Sequence, residues 1–433
     1  MSLWKKVKIG DVCKIVKGMT GIASAKPGEY PLVVTAVERK TCSDYQFDCE
    51  AVCIPLVSSS GHGKKSLNNV HYQSGKFALG TILCAVIPND PKELDARYLH
   101  QYLQFYKDTV LVPLMKGAAN VSLSMKDIAT VEIPLPPIER QRELSAMFIS
   151  LQEKSRQLRV ESEKQIEYAK QLRASILQDA IEGKLTADWR EKHPVKKGNP
   201  DYDAEVLIEK ILLEKQEKSK KQKPLPAITE DEKPFAIPTG WKWVRLGNVC
   251  DGFMYGTSAK SSNEGKCPVL RMGNIQNGKI DWEKLVYTNN DEEIEKYELK
   301  KFDLLFNRTN SREMVGKTAI FESEQKTIYA GYLVKFRPIL SNPYFINDVL
   351  NSKTHREWCN EVKADALGQS NINAEKLKNF VTPLPPLAEQ DEIVAHVEKH
   401  LEAITQFETQ IATRETLTKQ LMQGLLKDAF EEK

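Results

Sequence analysis

The chain has 433 residues, of which 41% are hydrophobic and 28% charged, and its formal net charge is +3. Two to four packed domains fit that length and apolar content, while no apolar run approaches the ~18 residues that a membrane-spanning helix needs. A charge so close to neutral permits nucleic acid as a partner without arguing for it.

The opening residues Met1-Ser2-Leu3-Trp4-Lys5-Lys6 lead straight into a strand-like pattern. No secretory signal and a cytoplasmic setting are therefore expected. Residues 30–35 and 81–87 predict strands and residues 98–109 a helix. Between the strands, residues 58–66 form a loop of small, polar and basic residues, in which Ser58, Ser60, His62, Lys64 and Lys65 are candidate ligand contacts. The eight cysteines include no C-x-x-C pair, so reduced thiols are expected. Cys42, Cys49, Cys53 and His62 match no common zinc spacing, and no metal is expected.

Pro134-Leu135-Pro136-Pro137 then opens a long helix that should stop near Gly183. Proline suits the first helical turn, and the acidic Glu139 and Glu143 suit the positive end of the helix dipole. Residues 184–237, with the basic run from Lys218 to Lys223 and five prolines, read as a connector with a short helix near 204–216. Beyond it, residues 268–272, 304–306 and 332–336 predict strands and residues 345–361 a helix. Tyr255, Thr257, Ser258 and Lys260 in one loop, and Asn307, Arg308, Asn310 and Arg312 in another, are further candidate contacts. Side chains of these types donate to and accept from base edges and phosphates.

The chain repeats itself. Pro134-Leu135-Pro136-Pro137 recurs as Pro383-Leu384-Pro385-Pro386, Gln141 as Gln390, and Lys170-Gln171-Leu172 as Lys419-Gln420-Leu421, all at one offset of 249. Trp4-x-x-Val7-x-x-Gly10-x-Val12-Cys13 recurs as Trp241-x-x-Val244-x-x-Gly247-x-Val249-Cys250, but at an offset of 237. The order is thus variable unit, constant helix, variable unit, constant helix. Apolar positions in the second helix (Ile393, Val397, Ile404, Phe407, Ile411, Leu421, Leu425) and their counterparts (Leu144, Phe148, Ser155, Leu158, Ser162, Leu172, Ile176) step by about 3.5. That spacing predicts two paired helices, and antiparallel pairing would relate the halves by a pseudo-twofold axis.

Catalytic motifs fail on inspection. Gly316-Lys317-Thr318 ends like a phosphate loop, yet position 311 is Ser311 where a glycine is needed. Gly61-His62-Gly63 is broken as a dinucleotide fingerprint by Ser66. Asn342-Pro343-Tyr344-Phe345 lacks the second proline of a methyltransferase loop and predicts a helix entry. Glu298-x-Lys300 has no acidic partner upstream at nuclease spacing.

The doubled order of motifs resembles the specificity subunits of type I restriction–modification enzymes. The resemblance rests on Trp4…Gly10 and Trp241…Gly247, on Gly117-Ala118-Ala119-Asn120 and Gly368-Gln369-Ser370-Asn371, on the two Pro-Leu-Pro-Pro elements with Gln141 and Gln390, on Ile237-Pro238-Thr239-Gly240-Trp241, and on the Lys-Gln-Leu helices. It implies a mixed α+β chain: globular α/β target-recognition domains at 1–133 and 238–381, separated by two long antiparallel, coiled-coil-like helices at 134–183 and 382–433. It also implies that each domain reads half of a split, asymmetric site in double-stranded DNA, that the helices set the gap, and that the chain is no enzyme. Two methyltransferase subunits with S-adenosylmethionine, and restriction subunits with ATP and Mg, would supply the chemistry. The competing readings are an assembly scaffold that does not read DNA and a methyltransferase with a cryptic cofactor site.

Overall fold

The computed structural model describes residues 4–60, 63–218, 224–310, 315–366 and 369–431. They form two compact units, the first divided in the chain, residues 1–163 with 411–433, and the second continuous, residues 164–410.

In the first unit the opening strand Lys6–Lys8 pairs antiparallel with Glu132–Pro134, the strand that leads into the first long helix. A four-stranded antiparallel sheet runs Cys13–Lys17, Leu83–Pro88, Ala51–Pro55, His71–Gln73. A second sheet joins Lys40–Cys42, Tyr30–Val33, Lys76–Leu79 and Phe47–Asp48, with its central pair parallel. The helix Ala96–Val110 covers the first sheet and buries Tyr98, Leu99 and Leu103 in the main core.

The second unit repeats this plan. Lys242–Arg245 pairs with Val381–Leu384. Within that pair Val244 faces Thr382, just as Val7 faces Ile133 in the first unit, so the two offsets of the sequence repeat meet across one ladder. Its four-stranded sheet runs Cys250–Tyr255, Leu333–Pro338, Leu304–Asn307, Thr318–Ile320. The helix expected over 345–361 is two helices, Pro343–Val349 and Lys353–Val362, because Ser352 caps the second one afresh. Asn342 caps the first and Pro343 stands in its opening turn, as the motif predicts.

The repeated residues have repeated jobs. A β-carbon on Gly10 would lie 2.9 Å from Cβ of Ala129, and one on Gly247 would lie 2.9 Å from Cβ of Lys378. Ala129 and Lys378 are themselves counterparts in the repeat. Glycine is what lets the opening motif press against the short helices Met125–Ala129 and Ala374–Lys378. Gln141 is fully buried; its Oε1 accepts from the Asp95 amide at 2.8 Å, and its Nε2 donates to the Glu93 and Pro136 carbonyls. Gln390 does the same for the Asn342 amide and the Pro385 carbonyl. Asp95 and Asn342 are the N-caps of the covering helices, so each glutamine bolts a long helix to the cap of the helix beside it.

The long helices are Ile138–Ile181 and Leu387–Phe430, 44 residues each. They are antiparallel within each unit. In the first, Phe148 meets Phe430, and Arg414 donates to the Ser162 hydroxyl at 2.9 Å. In the second, Arg173 meets Glu408 at 3.2 Å, and Thr186, just past the helix, donates to Glu389 at 2.7 Å. The 3.5-residue seam holds only in part. Leu144, Phe148, Ile176, Ile393, Val397, Ile404 and Ile411 are buried, but Leu158, Leu172, Phe407, Leu421 and Leu425 are exposed. A helix of 3.6 residues per turn drifts about 20° per heptad, so burial passes to Leu177, Ala180, Leu426 and Phe430.

The expected connector is largely built into the second unit. Helix Ala204–Lys218 buries Leu207 and Ile211 completely, and Lys215 donates to the Gly247 and Cys250 carbonyls. Glu389 gathers Thr186, Arg190 and the Trp241 indole, while Arg245 holds the Pro226 and Ala227 carbonyls and Glu232. The basic run 219–223 lies outside the described residues. No described helix is long and apolar enough to cross a membrane.

Two outcomes are expected. Phe430 is 4% exposed and packs against Tyr98, Tyr102, Phe105, Tyr106 and Phe148. Phe430→Ala should destabilise the first unit by about 3–5 kcal/mol, read as an earlier denaturant transition for probes in that unit. Burial pushes His71 down to about 4 in the first unit and His355 down to about 3 in the second. The unfolded chain therefore takes up protons below its histidine pKa of about 6.5 that the folded chain refuses. Thermal stability should fall as pH drops below that value and the histidine contribution should level off near the folded values. A melting temperature that stays flat or rises across that acid window would contradict this.

Candidate nucleic-acid interface

The backbone pairings superimpose the two units position by position at one end of their sheets. Lys17 pairs with Cys84 and Tyr255 with Val334; Pro55 pairs with Leu83 and Asn307 with Leu333. The next residue, Leu56 or Arg308, donates its amide to the Ile82 or the Tyr332 carbonyl. Its carbonyl then accepts from Leu123 or Ile372, which are counterparts in the repeat. Val57 and Thr309 thus occupy the same place in the plan. Each is strapped to the hairpin that carries its Gly-Ala-Ala-Asn or Gly-Gln-Ser-Asn element, Val57 through Ser122 and Thr309 through Asn371.

In the first unit the loop that starts at Ser58 is held by its own hydroxyls. Ser58 Oγ donates to the Lys64 carbonyl at 2.5 Å and accepts from the Ser60 and Ser66 amides, and the Ser60 and Ser66 hydroxyls are 2.6 Å apart. Ser60, Lys64 and Lys65 are exposed, with Lys116 on the neighbouring hairpin. His62 lies outside the described residues.

In the second unit the two loops chosen from the sequence meet. The Arg308 guanidinium lies over the Tyr255 ring, 4.6 Å from its centre, and the Tyr255 hydroxyl accepts from the Ala374 amide at 3.1 Å. Ser258 and Lys260 are exposed. Thr257 is 5% exposed; its hydroxyl bonds Glu293 and accepts from the Ala259 amide. Asn307 is fully buried, and its backbone bonds Lys317 and Gly316. These two side chains face the interior rather than a ligand. The Asn310 side chain and all of Arg312 lie outside the described residues. Gly316-Lys317-Thr318 is accounted for too: it returns as the edge strand Thr318–Ile320, and Lys317 donates to Gln276.

Reading the sequence for polar loops missed Lys17 and Leu56, the counterparts of Tyr255 and Arg308. The repeat alone would have misaligned Lys17, because a bulge between Asp251 and Met254 adds one residue to the second unit's strand. The exposed groups are amide, hydroxyl, ammonium and guanidinium donors around an aromatic face, a set suited to binding anionic, ring-bearing polymers. Among the described residues no group of three or more His, Cys, Asp and Glu is placed to hold a metal ion.

Comparison with known proteins agrees with this doubled plan. The family described as type I restriction modification DNA specificity domain matches residues 1–168 and 238–414, one match opening in each half of the repeat. The EcoEI specificity subunit of Escherichia coli is 28% identical over 269 residues, covering 60% of this chain and 45% of that one. The putative MjaX specificity subunit of Methanocaldococcus jannaschii is 32% identical over 205 residues, covering 46% and 48%. This chain therefore spans about half the length of the curated relatives it matches. A solved chain from a type I R-M system shares the fold, with a TM-score of 0.62, 19% identity and 99% and 97% coverage. With most of its length matched in two repeated blocks, the chain belongs to the type I restriction modification DNA specificity domain family.

Proposed function

We propose that this chain is the DNA-reading subunit of a type I restriction–modification complex, each unit reading one half of a split, asymmetric site. One observation carries the reading: two units of one backbone plan present different side chains at the same place, Lys17 and Leu56 in one, Tyr255 and Arg308 in the other. Like scaffolds with unlike reading surfaces are what an asymmetric bipartite site requires. A single domain reading three or four base pairs discriminates weakly, since each wrong pair costs about 1–3 kcal/mol. Two linked readers multiply their selectivity when the spacing between half-sites suits the linkage.

In this reading the paired helices set the unread gap, which their equal length supports. The chain adds no catalysis of its own. Two methyltransferase subunits with S-adenosylmethionine dock on the helices, and restriction subunits bring ATP and Mg, in the cytoplasm. Exposed apolar side chains on the helices, Leu417, Leu421 and Leu425 in the first unit and Ile166, Tyr168 and Leu172 in the second, support such docking.

Enrichment of a random duplex pool by the full chain, alone and with the methyltransferase, should return a two-part asymmetric sequence with a constant gap. Recovery of unselected DNA at every salt concentration would leave the scaffold reading instead. Deleting one heptad from both long helices removes ~10.5 Å of helix, roughly three base-pair steps. The selected gap should shorten by about that much or binding should be lost. An unchanged gap at full affinity would refute the spacer role.

A further inference from the structure

The geometry points to Arg308 as a base-reading residue of the second unit, presenting its guanidinium edge to the O6 and N7 of a guanine in the major groove. The inference rests on the DNA reading proposed above and goes further by assigning one residue to one base type.

Four observations converge on it. The backbone of Arg308 is held on both sides, its amide donating to Tyr332 at 3.0 Å and its carbonyl accepting from Ile372 at 2.9 Å. The guanidinium lies over Tyr255, and that ring is in turn fixed through its hydroxyl to the Ala374 amide. Two anchored partners therefore hold a planar fork of donors at little further entropic cost. Third, no acceptor among the described residues meets this guanidinium, and its Nε is buried without a hydrogen-bond partner. Every other described arginine of the second unit has an oxygen partner: Arg173 on Glu408, Arg190 on Glu389, Arg245 on Glu232, Arg271 on the Lys284 carbonyl, Arg337 on Asp303 and Arg356 on the Val315 carbonyl. A half-buried donor without an acceptor is costly unless a ligand supplies one. Fourth, the equivalent place in the first unit holds Leu56, so the cation is not a requirement of the shared backbone plan.

The acceptor could be a base edge or a phosphate oxygen, since both suit a guanidinium fork. The base edge is favoured because the guanidinium is held in place over the Tyr255 ring, itself anchored through its hydroxyl, rather than left free to follow a phosphate. Bidentate pairing with guanine is the commonest specific use of arginine in the major groove.

The test is selection from a random duplex pool by the full wild-type chain and by Arg308→Ala and Arg308→Lys, with melting curves to confirm folding. In Arg308→Ala the preference for guanine should fall roughly ten- to hundred-fold at one position of one half-site, with the other half-site unchanged. Arg308→Lys should not restore it, because an ammonium lacks the fork. A second arm leaves the protein intact: 7-deazaguanine at that position removes the N7 acceptor and should weaken wild-type binding roughly ten-fold. If the variants instead bind all sequences more weakly with an unchanged preference, and lysine restores affinity, Arg308 is a phosphate contact and the inference fails. An unaltered profile in Arg308→Ala also overturns it while leaving the split-site reading intact. A wild-type pool with no enriched sequence removes that reading and this inference together.

Discussion

The architecture depends on the burial of each long helix's final turns in the core of the unit built mainly by the other half of the repeat. Phe430 closes the aromatic cluster around Tyr98 and Phe148, and Ile181, its counterpart in the first helix, lies in the core of the second unit. Neither unit has a complete core without both helices. The length of each helix is then fixed, because an inserted residue would rotate one end out of its core by about 100°. The buried glutamines set the other end of each helix, so the rods are defined at both termini by side chains inside a fold.

Much of this plan was legible in the sequence, because it rests on interactions that leave periodic marks. A gapless offset of 249 reported the long helices and their glutamines, since both sit in contacts that admit no change of spacing, while the short helices Met125–Ala129 and Ala374–Lys378 before them were not predicted. The unit boundaries were not legible. They fall at residues 163–164 and 410–411, inside continuous helices, where no turn residue marks a break. The connector was misleading for a related reason. Its prolines and lysines look like a tether, while the buried face of its helix rests on few residues, Leu207 and Ile211 chief among them.

The interface was legible as composition and not as geometry. Polar loops were found, but donor chemistry is equally useful to a loop that binds a ligand and to one that ties its own turns together. Ser58 does the latter, and Thr257 and Asn307 face inward because the plan of the sheet end puts them there. Which side chain reaches outward depends on strand alternation, and a one-residue bulge reverses it. The convergence of Tyr255 and Arg308, 53 positions apart in the chain, appears only once the strands are paired.

The divided make-up of the first unit also bears on how it is made. On the ribosome the residues of its sheets and of the Ala96–Val110 helix emerge early, yet Leu426 and Phe430 come last of all its core residues. The second unit, complete once residue 410 has emerged, can close sooner. Until then Tyr98, Tyr102, Phe105, Tyr106 and Phe148 lack their capping ring, an aromatic surface open to chaperones and to neighbouring nascent chains. The domain translated first is the one finished last.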